Sequence, residues 1–353
     1  MGISVQEVAL LVTVFTLPGI FLSPLFGIIA DRIGRKMVVV PSLFLFGVAG
    51  FACTFAPDFE FLVGMRFLQG VGASSLGALN ATLISDMFKG NDRITAMGYN
   101  SGVLSLGATI YPAIGGGLAL FGWHYPFILP LMAIPVGLLV MLKMKIPQPK
   151  KIESLKNYLL NLWVALKQPK LLVLFLASIL SFVLLYGPIL TYLPFFIEES
   201  FGGDSLAIGL IVSSVAISNG LSSSVLGRLA LRFNERSLLK VSYLIYALAF
   251  LIIPFVGIMW LLVLPVLLYG WGQGTNLPNI LNQISREAPE QSRGAVLAIN
   301  GMVLRLGQTL GPVIIGVFYA WKSFNGVYGI SVAIALLAFL MIWFVDRKAP
   351  SEI

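Results

Sequence analysis

The chain contains few of the side chains that carry out catalysis or bind metals. It has one cysteine, Cys53, inside an apolar stretch, and one histidine, His124, which lies between Trp123 and Tyr125. A single cysteine excludes a disulfide within the chain, and no cysteine–histidine set with metal-binding spacing exists. The neighbours of His124 provide neither a nucleophile nor a carboxylate for a catalytic triad. We therefore expect a protein that is not an enzyme, holds no metal and needs no cofactor.

Two arginines lie inside apolar segments, where a charge is expensive. Arg66 lies about seven residues into its segment, and Arg305 follows Gly294 by about 11 residues, or roughly 16 Å of helix. An unpaired arginine near a bilayer midplane costs at least ~2.5 kcal/mol, so both are candidate functional charges. Asn300 and Gln308 could solvate Arg305 but not neutralise it. Its partner would be an acid on a further helix, a water-filled cavity or an anionic ligand.

Simpler interpretations of both arginines stay open. Arg305 could be solvated by water in a cavity and serve packing only. Arg66 could reach the outer headgroup region with its long side chain. The sequence does not choose between these interpretations and a functional charge.

Other polar and aromatic residues inside apolar segments are candidates to line a ligand cavity, because buried polar groups in membrane helices often mark ligand pathways. The alternative for each of them is an ordinary hydrogen bond between helices. The candidates are Tyr186, Tyr192, Asn219, Gln273, Asn276, Asn279, Asn300 and Gln308.

The composition indicates that the solvent of this chain is a lipid bilayer. Hydrophobic residues make up 58% of the chain and charged residues 11%, against about 25% charged in soluble domains. The net charge of +8 does not indicate a nucleic-acid partner, because the basic residues lie in short loops between apolar runs rather than on one face of a domain.

Apolar runs long enough to span about 30 Å of hydrocarbon recur along the whole chain. The sequence therefore predicts an all-α polytopic membrane protein with eleven transmembrane helices. The predicted runs are 5–30, 37–56, 60–86, 97–120, 125–142, 170–197, 206–229, 238–258, 260–284, 294–319 and 325–345.

The basic residues predict the orientation and the domain division. Nearly all of the 23 lysines and arginines lie in every second connection between the predicted spans, and therefore on one side of the membrane. The positive-inside rule places that side, with the C-terminus, in the cytoplasm. The only long loop is lysine-rich and contains an amphipathic segment, Glu153–Gln168, with leucines at helical spacing. We predict an N-terminal bundle at 1–142, a cytoplasmic linker with an amphipathic helix at 143–169, and a C-terminal bundle at 170–353.

The two predicted bundles repeat each other at an offset of about 200 residues. Gly27, Arg32, Pro112 and Gly116 correspond to Gly227, Arg232, Pro312 and Gly316. Such a duplication is typical of transporters whose substrate site lies between pseudo-symmetric halves. The run 170–197 has no counterpart in the first half. We therefore expect a preceding first helix that this sequence does not include, and the visible helices are then numbered 2 to 12. The alternative is a native eleven-helix protein.

The loop after the first run carries the sequence from Gly27 to Lys36, GIIADRIGRK. It resembles the loop signature between helices 2 and 3 of the major facilitator superfamily. The resemblance implies a conformational latch between the two halves, in which an acid at the end of helix 4 takes part. The alternative is that these charges only determine topology. The latch residues so implied are Gly27, Asp31, Arg32, Gly34, Arg35, Lys36 and Asp86.

Two further motifs resemble this family. The segment around Arg66, Gln69 and Gly70 is similar to a motif whose buried arginine is linked to proton transfer. The run with Tyr111 is similar to the antiporter motif of drug:proton exchangers, although Tyr111 stands where the family has glycine. The residues that match the antiporter motif are Gly98, Gly107, Pro112, Gly115 and Gly116.

The resemblance covers the whole chain and is strongest to bacterial twelve-helix drug:proton antiporters. It implies a monomer in the inner (cytoplasmic) membrane that couples efflux of small amphipathic or drug-like compounds to protons by alternating access. No carboxylate lies deep inside a predicted helix, so the titratable group of such an exchanger is not identified. The alternatives are a transporter of a specific metabolite, such as a sugar or an amino acid, and a non-transporting remnant.

Overall fold

The structure is a computed structural model that describes residues 4–144, 167–288 and 293–348. These described residues form helices joined by short turns, with no β-strand among them, which confirms the all-α prediction. The predicted amphipathic segment Glu153–Gln168 lies almost entirely outside them. The first five helices are α1 (Val5–Ile33), α2 (Arg35–Ala52), α3 (Phe59–Met87), α4 (Gly90–Ala119) and α5 (Ala133–Lys143), the last preceded by a 3-10 turn at Tyr125–Met132.

The remaining helices depart from regular α geometry at two places. A π-helical segment at Leu185–Tyr192 contains Pro188, whose missing N–H removes an α-helical hydrogen bond. A break at Lys322 and Ser323 divides the last helix, where Ser323 has φ +50°. The helices are α6 (Pro169–Leu184), α7 (Leu193–Phe201), α8 (Ser205–Ala230), α9 (Glu235–Ile252), α10 (Val263–Glu287) and α11 (Arg293–Lys348).

Polar side chains determine where several helices begin. Ser4 and Glu7 form a capping box at the start of α1. Asp58 accepts a hydrogen bond from the Phe61 N–H at 2.8 Å at the start of α3. Asp204 does the same for the Ala207 N–H at 2.7 Å at the start of α8. These caps satisfy backbone donors that would otherwise lie unpaired at the helix ends.

Nine helical segments in the described part of the chain are long and apolar enough to cross a membrane. The predicted run 260–284 is not one of them, because Gln273, Asn276 and Asn279 lower its hydropathy. The predicted runs 294–319 and 325–345 lie on either side of the break at Lys322 and Ser323 and together make up the apolar segment Ile299–Phe344. The lengths and hydropathy of these segments fit a multi-pass architecture, and the count of eleven spans stays a prediction.

The chain divides into two compact units. The first, the N unit, comprises Met1–Gly107 and Leu118–Asn161, and the second, the C unit, comprises Ala108–Gly117 and Leu162–Ile353. The C-terminal part of α4, at Ala108–Gly117, thus belongs to the C unit, which a division by sequence position alone does not show.

Small residues allow the helices within each unit to approach closely. In the N unit, α3 packs against both α1 and α2, and a methyl group added at Gly70 would overlap the Phe15 carbonyl. In the C unit, α8 packs against α10, and a methyl group at Gly274 would overlap the Asn219 carbonyl. Close packing through glycine is the usual means of helix association in membranes, where no hydrophobic effect drives it.

Candidate functional site

An ion cluster joins three helix ends in the N unit. The Arg35 side chain, 7% exposed, places Nη1 2.5 Å from Asp86 Oδ2 and Nη2 3.5 Å from Asp31 Oδ1. The short contact to Asp86 is an ion pair outside hydrogen-bond geometry. Asp31 lies in the last turn of α1, Arg35 begins α2 and Asp86 lies in the last turn of α3, so one guanidinium connects all three helices.

The other signature residues have different surroundings. Gly34 has φ +97°, a left-handed region that favours glycine, and it makes the turn between α1 and α2. Lys36 Nζ donates to the Met144 carbonyl at 2.9 Å, which ties α2 to the end of α5. Arg32 is exposed, and nothing lies within 4 Å of a methyl group built at Gly27. Of the predicted latch residues, the structure brings Asp31, Arg35 and Asp86 together.

The C unit carries an ion pair at the repeated positions with its charges exchanged. At the offset of 200 residues, Arg35 and Asp86 correspond to Glu235 and Arg286. Arg286 Nη1 lies 3.0 Å from both Glu235 carboxylate oxygens. Asn279 donates to the Glu235 carbonyl at 2.7 Å and Asn282 to its carboxylate at 2.9 Å.

The two pairs have opposite relations to the helix dipoles. The N-terminal end of a helix favours a negative side chain and the C-terminal end a positive one, by about 0.3–1 kcal/mol each. Glu235 is the first residue of α9 and Arg286 the last but one of α10, so both match their helix ends. Arg35 and Asp86 hold the same positions in α2 and α3 with the wrong signs. The pair in the N unit therefore depends on the mutual attraction of its charges.

Arg66 is enclosed by neutral groups in the interior of the N unit. Its Nη1 donates to Gln69 Oε1 at 3.0 Å, one turn further along α3. The guanidinium carbon lies 4.8 Å from the centre of the Phe127 ring and 5.5 Å from that of Phe15. Cation–π contacts of this kind contribute most where water is excluded. Gly70 allows α1 to approach closely enough for the Phe15 contact.

Arg305 in the C unit has a similar neutral partner. Its Nη1 donates to Gln308 Oε1 at 3.2 Å, again one turn along the same helix. Arg305 lies close enough to Tyr186 for the two side chains to interact electrostatically, and the Tyr186 ring stacks on Phe182 with the centroids 5.9 Å apart. No ion pair to a carboxylate is recorded for Arg66 or Arg305 among the described residues.

The predicted cavity residues in the C unit mostly form buried hydrogen bonds between helices. Ser181 Oγ donates to Asn276 at 2.7 Å and Ser178 Oγ to Asn300 at 2.9 Å. Tyr246 donates to Gln273 through a short hydrogen bond. These bonds connect α6, α9, α10 and α11 in the core of the unit. These residues therefore fit the interpretation as helix-packing groups better than the interpretation as the lining of a cavity.

Three other cavity candidates have different positions. Tyr192 donates to the Pro312 carbonyl at 3.3 Å and is buried. Asn219 and Tyr186 are half-buried. The partners Ser178, Ser181 and Tyr246 are not among the predicted residues, because nothing in their local sequence shows which neighbouring helix their side chains face.

The antiporter-like segment of α4 lies directly against α8. A methyl group at Gly116 would overlap the Ser205 carbonyl, and one at Gly209 would overlap the Pro112 carbonyl. The helices therefore meet backbone to backbone. Gly98 and Gly115 face open space instead. The remaining motif residue, Gly107, lies on α4 between these positions.

The family comparison covers the whole chain. A model of the Major Facilitator Superfamily matches residues 1–206 and 193–353. The chain is 27% identical over 329 residues to the multi-drug resistance efflux pump PmrA of Streptococcus pneumoniae, which covers 89% of this chain and 80% of that protein. It is 23% identical to the class B tetracycline resistance protein of Escherichia coli, over 97% of this chain and 87% of the relative.

Solved structures have the same fold at lower identity. A bacterial homologue of the human lysosomal transporter Spinster, in an inward-facing and unoccupied conformation, has a TM-score of 0.80 at 15% identity over 99% of this chain and 92% of that one. A D-xylose–proton symporter has a TM-score of 0.78 at 17% identity, over 97% of this chain and 89% of that one. The chain belongs to the major facilitator superfamily and is a multi-pass membrane transporter of small molecules, not an enzyme, related over most of its length to bacterial drug efflux pumps.

Proposed function

We propose that this protein exports small amphipathic, drug-like compounds in exchange for protons by alternating access. The observation that carries the proposal is the backbone contact of Gly116 on α4 with Ser205 at the start of α8. The α4 segment is the one that resembles the antiporter motif. A contact made by two backbones lets the helices approach closely, which an exchanger needs in order to limit a proton leak. The relative PmrA is a multi-drug resistance efflux pump, which supports the same direction of transport.

The ion cluster of the N unit is the proposed latch of this cycle. Arg35 holds Asp31 and Asp86 across three helix ends, so a rearrangement of α1 against α3 has to break these contacts. We place the protein as a monomer in the inner (cytoplasmic) membrane, with the C-terminus on the cytoplasmic side. The support for that orientation is the placement of the basic residues, such as Arg32, Arg228 and Arg232, at one set of helix ends.

Two alanine substitutions one residue apart test the role of the α4 contact. Gly116→Ala places a methyl group against the Ser205 carbonyl and forces the helices apart, whereas Gly115→Ala meets nothing within 4 Å. Overpacking at such a site costs about 1–3 kcal/mol, so we expect Gly116→Ala to reduce exchange strongly and Gly115→Ala to retain it. The measurement is efflux of a fluorescent amphipathic dye from proteoliposomes with and without a pH gradient.

Each part of the proposal has its own contradicting result. Equal exchange by the two variants at equal reconstitution would contradict the role of the contact. Dye export by the wild type that ignores the pH gradient would contradict proton coupling. Failure of a toxic-compound panel to show any resistance in an efflux-deficient host would contradict a drug-like substrate.

A further inference from the structure

The interior of the described spans carries positive charge without negative charge. Every described carboxylate lies in a turn or within three residues of a helix end, as Asp31, Asp86 and Glu287 illustrate. Arg66 and Arg305 lie well inside α3 and α11. Arg305 is 12 residues from the first residue of α11, which is about 18 Å at 1.5 Å per residue.

Within the C unit, Arg305 keeps most of its binding capacity. A guanidinium has five N–H donors, and one contact, to Gln308 Oε1, is recorded for them. Gln308 is an uncharged acceptor, so it orients the guanidinium without neutralising it. Arg305 is only half-buried, which leaves its remaining donors open to a ligand. At the repeated position in the first half stands Ser105, so the fold itself does not require a base here.

The neighbours of Arg305 add an aromatic surface. Tyr186, in the π-helical segment after α6, lies within electrostatic range of Arg305, and its ring stacks on Phe182 of α6. A planar guanidinium binds carboxylates through two parallel hydrogen bonds, and an aromatic pair accepts a flat apolar ring. Together these groups fit a ligand that has an acidic group next to an aromatic ring.

We propose that Arg305 binds the anionic group of the transported compound, and that the substrates are aromatic organic anions. This inference rests on the proposed export function and specifies its substrate class. Arg305 supplies the charge, Gln308 fixes its orientation, and Phe182 with Tyr186 contacts the ring. A cationic amphiphile of the same shape meets a like charge at this position and binds weakly.

The test uses ligands that differ only in charge. Naphthalene, biphenyl and indole rings are each supplied as the carboxylate, the neutral carboxamide and the trimethylammonium derivative, and their binding to purified protein in detergent is measured by calorimetry. A charge-assisted hydrogen bond predicts that the carboxylate binds about 10- to 100-fold more tightly than the amide on at least one ring. Arg305→Gln should reduce that ratio to about one, and Arg305→Lys should keep part of it.

The control is Arg228→Gln, the same change at an exposed arginine in the last turn of α8, which should leave the ratio unchanged. Wild-type protein that binds no carboxylate better than its amide would overturn the inference, as would an Arg305→Gln variant with an unchanged ratio. If Arg305→Gln does not fold, the ligand series on the wild type and on Arg305→Lys decides whether Arg305 carries the preference for the carboxylate. Binding without a gradient is independent of the export assay, so anion preference without pH-driven export would reject proton-coupled export and leave only the anion-binding site at Arg305 standing.

Discussion

Replacement of Arg35 by glutamine should destabilise the protein more than replacement of its counterpart in the repeat, Glu235. The Arg35 side chain is 7% exposed and the Asp86 side chain 26%, and Arg35 Nη1 lies 2.5 Å from Asp86 Oδ2. Two unit charges about 4 Å apart attract by about 4 kcal/mol at an effective dielectric constant of 20, before the cost of desolvation. The variant leaves Asp31 and Asp86 near each other at helix C-terminal ends that disfavour negative charge. We expect a loss of about 2–3 kcal/mol.

The matched change in the C unit should cost less. Arg286 is 68% exposed, and exposed ion pairs contribute about 0–1 kcal/mol. In Glu235→Gln the remaining Arg286 stays at the favourable C-terminal end of α10, and the Asn279 bond to the backbone carbonyl is unaffected. We therefore expect a loss of at most about 1 kcal/mol.

Two double-mutant cycles measure the difference. One combines Arg35→Gln with Asp86→Asn and the other Glu235→Gln with Arg286→Gln, and unfolding in detergent micelles is followed by circular dichroism. The first cycle should show the larger coupling energy. Equal coupling in the two cycles would refute the reasoning from burial and helix dipoles. Asp31→Asn, measured beside them, should slow transport at normal membrane expression if the cluster acts as a latch.

Two further predictions concern topology and packing. For topology, single cysteines are placed at Arg232 and Asp204 in a background without the native cysteine. They should react with a membrane-impermeant maleimide from opposite sides of the membrane. Labelling of both positions from one side would reject the predicted orientation. Gly70→Ala should destabilise the N unit by about 1–3 kcal/mol, because its methyl group meets the Phe15 carbonyl, whereas Gly64→Ala meets nothing within 4 Å. Equal melting temperatures of these two variants would show that the α1–α3 contact adapts to the extra methyl group.

Much of this protein was readable from local sequence features. The apolar runs predicted the helices, because a span of lipid requires about 20 apolar residues and satisfied backbone groups. The ten residues from Gly27 to Lys36 identified the family. The pairs Arg66–Gln69 and Arg305–Gln308 are also local, since residues three apart share one helix face.

The partners of most polar residues were decided only by tertiary packing. Ser178 and Asn300 are 122 residues apart in sequence, and Ser181 and Asn276 are 95 apart. Which way such an amide points depends on the rotation of its helix against its neighbours. Helical spacing places residues on one face of their own helix and does not say which helix that face meets. Only the structure shows which basic residue of the segment from Gly27 to Lys36 binds Asp86. It is Arg35, which begins α2 where the ends of α1 and α3 converge.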